Sequence, residues 1–307
     1  MTKVAVIGVG HLGKQHARLY SELEDVQLTG VVDILEPRAR EIAGLNKTAA
    51  FIDYRDVFGK VDAVSLAVPT VEHARIGLDL LEHGIDVLVE KPIGSTAEEA
   101  RKMIDVAARN NRILQVGHVE RFNPVVALAR EAATRPQFFE IHRLAAFSPR
   151  SLDIDVVLDL MIHDIDIVLS MVRAPVKEVR AVGIPVLSPR ADIANARVEF
   201  EDGCVANFTA SRVSFEKVRK LRFFQPHDYI SVDSASQTGT MVSLRMGGVI
   251  ERKLEPPHQE PLKVELAAFV ECVRTRKPPA VSGEDGIRAL DLAMRINTAI
   301  AERLVLR

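Results

Sequence analysis

Three short stretches of this chain combine residue types that could do chemistry. The first is Gly8-Val9-Gly10-His11-Leu12-Gly13, a GxGxxG pattern between the apolar run from Val4 and an amphipathic stretch. In such a pattern the first glycine allows a tight turn, the second lets the backbone approach a pyrophosphate, and the third lets a helix pack closely on a strand. A helix beginning there presents unbonded N–H groups and partial positive charge to phosphates. Asp33 ends the next apolar run, about 20 residues on, where a carboxylate can accept from both ribose hydroxyls. Pattern, context and acid together predict a dinucleotide site, with His11 and Leu12 inside its loop. Asp33 would repel a 2′-phosphate and Ile34 brings no charge to offset it, so NAD is expected over NADP. Arg38 is near enough in the chain to keep NADP open.

The second stretch is Glu90-Lys91-Pro92. Pro92 forces Lys91 toward an extended conformation, and the preceding run Ile85 to Val89 reads as a strand. A lysine at the carboxyl end of a parallel strand lies beside the cofactor crevice. There it could hold a substrate hydroxyl and tune a neighbouring base. By composition alone it would sooner be a surface lysine before a turn proline, and position relative to the glycine motif shifts the balance. The third stretch runs from Asp159 through His163 to Asp166. Four residues separate Asp159 from His163, which shares a helix face between them, and Asp166 adds a carboxylate. Histidine beside a carboxylate suits proton abstraction from an alcohol near neutral pH. A satisfied core histidine, or an ordinary polar helix face, fits the same residues. No further ligand cluster supports a metal, and none is expected.

The elements that must position these groups are legible as periodicity. Apolar runs at Val4–Val9, Val26–Val32, Val61–Val68, Ile85–Val89 and Ile113–Val116 read as strands. Helical patterns fall between them at Leu12–Leu23, from about Pro37, from about Val71 to His83, and at Thr96–Arg109. Strands alternating with helices predict βαβ units and a parallel sheet. Ser95 with Glu98 three residues on reads as a capping box, and Gly84 as the residue closing the preceding helix. After Gly117 the pattern changes. Phe139–Phe147 and Asp192–Phe200 alternate with period two, Asp202-Gly203 reads as a hairpin turn before Cys204–Val213, and strand-like segments recur at Leu221–Phe224, Tyr229–Val232 and Met241–Leu244. Helices at Val156–Val172, Leu262–Arg274 and Gly286–Leu304 should cover one face of that sheet. The expectation is an α/β chain: a Rossmann dinucleotide-binding domain over residues 1–117, and an α/β domain with a large, open, mainly antiparallel sheet over 118–307. The C-terminal helix could pack back on the first domain.

Composition narrows the classes. The chain has 307 residues, 47% hydrophobic and 27% charged, with formal net charge -2, which is ordinary for a globular protein. Without a basic excess there is no global signal for nucleic acid or anionic membrane. The Lys217–Arg222 cluster reads as one solvated strand face. Cys204 and Cys272 stand far apart without CxxC spacing, which fits a reducing compartment. No apolar run approaches the roughly 20 residues of a membrane span. A soluble cytoplasmic protein is expected.

Taken with Pro69-Thr70-Val71-Glu72-His73 and Gly117-His118-Val119-Glu120-Arg121-Phe122-Asn123-Pro124, these motifs resemble the glucose–fructose oxidoreductase/inositol dehydrogenase (Gfo/Idh/MocA) family over essentially the whole chain. The resemblance implies hydride transfer between a sugar or polyol hydroxyl carbon and the nicotinamide. It assigns the reacting hydroxyl to Lys91, the acid/base role to His163, and substrate placement to Asp159. It extends the cofactor contacts to Ile34, Arg38, Pro69, Thr70, His73, Glu90, Lys91 and Pro92. It also implies homodimers or homotetramers formed through the second sheet. Within the family, the opening motif and the run from Gly117 are similar to the subgroup that oxidises the 3-hydroxyl of UDP-N-acetylglucosamine on the way to amide-linked lipid A. A nucleotide sugar needs cations for its diphosphate, and Arg121, Arg143 and Arg150 are the candidates. Phe122 and Phe147 could stack on a sugar or base face, with His118 and Asn123 beside them. A free-polyol dehydrogenase and a non-catalytic NAD-binding sensor are the alternatives.

Overall fold

A computed structural model describes residues 1–147 and 154–305. They form two compact units, one comprising Met1–Val119 and Glu260–Ile287, the other Glu120–Gln259 and the chain from Arg288 on. In the first unit, β1 (Thr2–Ile7), β2 (Val26–Val32), β3 (Ala49–Phe51), β4 (Ala63–Leu66), β5 (Asp86–Glu90) and β6 (Leu114–Gly117) form one sheet. Its order is β3-β2-β1-β4-β5-β6 and every pairing is parallel. Strand order reverses between β1 and β4, the position where open α/β sheets bind ligands beyond the carboxyl ends of their strands. The helices between the strands are α1 (Gly13–Glu22), α2 (Glu36–Asn46), α3 (His73–Glu82) and α4 (Ala97–Arg109).

Local chemistry explains most of these boundaries. Gly84 adopts φ +78° after α3, where an L side chain would be strained. The box before α4 is shifted by one residue from the expected Ser95/Glu98 pair: the hydroxyl of Thr96 accepts from Glu99 N (3.1 Å), and the Glu99 carboxylate accepts from Ser95 N (2.8 Å). Strand β3 had no counterpart in the sequence reading, because three residues are too few for a periodic signal.

The second unit holds α5 (Pro124–Ala132), β7 (Phe138–Leu144), α6 (Ile162–Met171), β8 (Val176–Ile184), β9 (Ile193–Phe200), β10 (Val205–Ser211), β11 (Val218–Gln225), β12 (Asp228–Asp233), β13 (Thr238–Arg245) and β14 (Gly248–Leu254). Eight strands pair in the order β14-β13-β12-β11-β7-β10-β9-β8. All pairings are antiparallel except β7 with β10. Alternation along β9 buries Ala194, Ala196, Val198 and Phe200, as its sequence predicts. Elements β8, β14 and α5 lie outside the sequence reading. Six of the seven residues of β14 are exposed, so no apolar alternation marks it.

Helix α7 (Pro261–Thr275) corrects one expectation. Instead of covering the second sheet it packs in the first unit, where Leu266, Phe269, Val270 and Val273 join Val4, Val6, Leu19 and Tyr20 in one core. The last helix, α8 (Gly283–Val305), begins in the first unit, and from Arg288 its Leu292, Ala293, Ile296 and Ile300 join the core of the second. The first unit is therefore completed by chain that returns after the whole second sheet. Among the described residues no helix is long and apolar enough to cross a membrane.

Phe269 is fully buried in that returning segment. Replacing it with alanine should cost about 3–5 kcal/mol, read as a lower denaturation midpoint; an unchanged midpoint would mean α7 does not complete the core.

Candidate active site

The carboxyl edge of the parallel sheet gathers the first set of predicted residues. Gly8 follows β1 with φ +82°, and an added Cβ would lie 2.7 Å from the Ala67 carbonyl oxygen. At Gly13 an added Cβ would lie 1.8 Å from the Gly8 carbonyl oxygen, so only glycine lets α1 start this close. Gly10 differs, since a Cβ there would meet nothing within 4 Å. That open backbone is where a pyrophosphate would approach. No side chain caps the start of α1 and no acidic residue stands in its first turn, which leaves its N-terminal charge for an anion. His11 and Leu12 are exposed in this loop. The residues fit a dinucleotide.

Asp33 is buried at the end of β2 and ties the loop together. Its Oδ2 accepts from Val9 N (3.1 Å) and from the Arg38 guanidinium (3.2 Å), and its Oδ1 accepts from Leu35 N (2.9 Å). The charge of Arg38 thus stands against Asp33, while Ile34 points out with 89% of its surface exposed. Pro69 and Thr70 lie beyond β4 on the same edge.

Lys91 follows β5 and is half-buried, with a cis peptide bond to Pro92. Two of the expected cofactor contacts turn out to hold this turn from within. The Glu90 carboxylate points inward, where Oε1 meets His16 Nε2 at 2.9 Å and Oε2 accepts from Lys91 N at 3.3 Å. Burial pushes that carboxyl up, but the hydrogen bond from His16 and the charges of His16, Lys91 and His73 outweigh it and hold it below the ordinary value. His73 is buried too, its Nδ1 2.9 Å from the Pro92 carbonyl oxygen and its Nε2 2.9 Å from that of Val68. Burial lowers its pKa against the pull of these two carbonyls. His16 was not among the predicted residues. Its signal was a polar side chain at a core-facing position of α1, four residues before the equally buried Tyr20.

In the second unit, Asp159 lies in a π-helical turn (Val157–Met161) directly before α6, where a regular helix was expected. The Asp155 carboxylate accepts from Val157 N (2.9 Å) and Leu158 N (3.0 Å) at its start. Such wide turns cluster at functional sites. The Asp159 and His163 side chains are half-buried, whereas Ile162 and Asp164 to Leu169 are buried.

The acids after His163 are locked inside. Asp166 takes a bidentate pair from Arg121 (2.7 and 2.8 Å). Asp164 takes one from Arg143 (2.9 and 2.8 Å), which also reaches Glu120 at 2.9 Å. The charges of Arg121 and Arg143, expected to meet a diphosphate, are instead neutralised in the interior. Asn123 is likewise engaged, donating to the Ser234 carbonyl (2.9 Å) and accepting from Val125 N (3.3 Å) at the start of α5. Phe122 and His118 are buried, and Phe147 is 44% exposed. Arg150 lies outside the described residues. Among the described residues no three His, Cys, Asp or Glu side chains gather as a metal site.

Comparison with known proteins agrees with both units. Residues 2–118 match the oxidoreductase family with an NAD-binding Rossmann fold, and residues 134–224 match the GFO/IDH/MocA C-terminal domain. UDP-N-acetylglucosamine 3-dehydrogenase of Acidithiobacillus ferrooxidans is 36% identical, with 97% of each chain covered. Its solved structure superposes with a TM-score of 0.93. Myo-inositol 2-dehydrogenase of Thermotoga maritima is 25% identical over 98% of this chain and 97% of its own. Scyllo-inositol dehydrogenase from Lactobacillus casei, solved with NAD(H) and scyllo-inositol, shares the fold at 19% identity and TM-score 0.85, covering 99% of this chain and 98% of that one. The chain belongs to the Gfo/Idh/MocA oxidoreductase family, as an NAD-binding dehydrogenase that acts on a hydroxyl group.

Two outcomes are expected. Asp33→Ser removes the carboxylate and releases Arg38, so the ratio of kcat/KM for NADP over NAD should rise on the order of tenfold or more; an unchanged ratio would remove Asp33 from cofactor selection. Arg121→Met leaves Asp166 buried and unpaired and should cost about 3–5 kcal/mol of stability, most of it recovered in Arg121→Met/Asp166→Leu. A stable single variant with only a raised KM would instead return Arg121 to the substrate.

Proposed function

We propose that this chain oxidises the 3-hydroxyl of UDP-N-acetylglucosamine with NAD, in the cytoplasm, ahead of a transamination toward amide-linked lipid A. The observation that carries the reading is the 36% identity to the Acidithiobacillus enzyme across 97% of both chains, against 25% to an inositol dehydrogenase. Bound NAD supplies the hydride acceptor. Lys91 holds the reacting hydroxyl and offers positive charge to the oxygen as it loses its proton. The His163 imidazole takes that proton, and Asp159 places the sugar. Phe147, exposed three residues beyond β7, is a stacking surface for a sugar or base face.

The open face of the second sheet is assigned to self-association as a homodimer or homotetramer. Phe138, Phe224 and Tyr229 support this, since they stack side by side there with centroid separations of 5.7 and 4.9 Å. No nucleic-acid or membrane partner belongs to this reading.

The test is NADH formation with UDP-N-acetylglucosamine, UDP-glucose, myo-inositol and glucose, with NAD and NADP in parallel and a 2-oxoacid added to detect recycling of bound cofactor. Turnover is expected with UDP-N-acetylglucosamine and NAD, and kcat should fall about 10²–10⁴-fold in His163→Ala and in Lys91→Ala. Turnover restricted to a free polyol would overturn the substrate. Full turnover in both variants would overturn the catalytic assignment.

A further inference from the structure

Helix α1 meets the sheet through polar groups as well as apolar ones. His16 and Tyr20 stand four residues apart on its buried face, both fully buried. Tyr20 Oη lies 2.8 Å from Ser65 Oγ on β4, and His16 Nε2 lies 2.9 Å from Glu90 Oε1 on β5. Two contacts one turn apart fix the rotation of the helix, so the imidazole cannot slide along the carboxylate. β6 encloses the carboxylate further: an added Cβ at Gly117 would lie 3.0 Å from Glu90 Oε2. That same oxygen accepts the backbone N–H of Lys91. A buried imidazole–carboxylate pair is weak evidence for stability, since an apolar pair of similar volume often packs as well. Its position, between the helix that starts at the glycine loop and the residue before Lys91, calls for a different reason.

We propose that His16 is a positioning residue for Lys91: it pins the Glu90 carboxylate so that the second carboxylate oxygen holds the Lys91 backbone at the end of β5. The pair also links α1, whose N-terminus takes the pyrophosphate, to the lysine turn through one rigid contact. The role rests on the reading of Lys91 as the residue that meets the reacting hydroxyl.

The decisive variant is His16→Leu/Glu90→Leu, which removes both polar groups together and leaves neither one buried alone. A purely structural pair would be replaced with stability and turnover kept. The expected result is a folded protein with a near-native thermal midpoint, kcat reduced about 30-fold or more, and sugar KM changed less than about threefold, the signature of lost geometry at the reacting centre. His16→Gln, whose amide still donates to Glu90, should recover most of kcat, whereas His16→Met should not. This single-site comparison decides the matter should the double variant fail to fold. Native kcat in the double variant, or equal kcat in the Gln and Met variants, would overturn the proposal. A second readout needs no sugar. After reductive ¹³C-methylation, the Lys91 resonance, assigned by its loss in Lys91→Arg, should move at fixed pH to the position of exposed lysines in His16→Met but stay native-like in His16→Gln. If no sugar is turned over by the native protein, this resonance alone decides: movement supports the positioning role while the substrate reading fails, and an unmoved resonance overturns the role itself.

Discussion

A carboxylate taken out of water must be paired, and this chain uses that requirement beside both Lys91 and His163. Lys91 follows Glu90, whose charge is held inside by His16 and by the lysine's own backbone N–H. His163 precedes Asp164, whose charge is held by Arg143, and Asp166 beyond it is held by Arg121. Leaving any of these three acids unpaired in the interior costs several kcal/mol, so neither the turn after β5 nor the start of α6 can rotate without breaking a buried pair. The chemical side chains inherit this restraint from their sequence neighbours. A preorganised group loses little to reorganisation at the moment of reaction.

The strand order supplies the complementary constraint. Because the strand order reverses between neighbouring β1 and β4, a crevice opens at the loop after β1, and the three glycines leave that loop without side chains at their positions. Their environments differ in a way that matches the division of labour. At Gly8 and Gly13 a side chain would collide with the protein's own backbone, while at Gly10 it would enter empty space. Two glycines therefore serve the fold and one serves whatever approaches it. Asp33 joins the two functions, since its oxygens stabilise the loop and set the charge that a ribose would meet. Helix α7 closes the core beneath this loop although it is encoded after the entire second sheet.

What the sequence revealed follows the range of the interactions. The glycine motif, the strand periodicities, Gly84 and the hairpin at Asp202-Gly203 are local, and residues a few positions apart suffice to read them. The capping box was misplaced by one residue because Ser95 and Thr96 are chemically interchangeable as caps and Glu98 and Glu99 as their partners. The buried ion pairs were beyond reach. Arg121 and Asp166 are 45 residues apart, and His16 and Glu90 are 74 apart. An arginine's type says that it needs an anion; only the fold says that the anion is an aspartate of α6 and not a ligand's phosphate. The same limit explains α7, whose apolar stripe is legible but whose partner sheet is not.

This separation bears on how the enzyme's chemistry relates to its choice of substrate. A nucleotide sugar and a free polyol both present a secondary hydroxyl, and groups that meet only that hydroxyl would treat them alike. Selection between them must come from groups that meet the remainder of the larger molecule. With Arg121 and Arg143 neutralised by Asp166, Asp164 and Glu120, those two cations do not supply it. The reaction class therefore stands on a small set of local motifs. The proposed substrate rests instead on similarity spread along 97% of the chain.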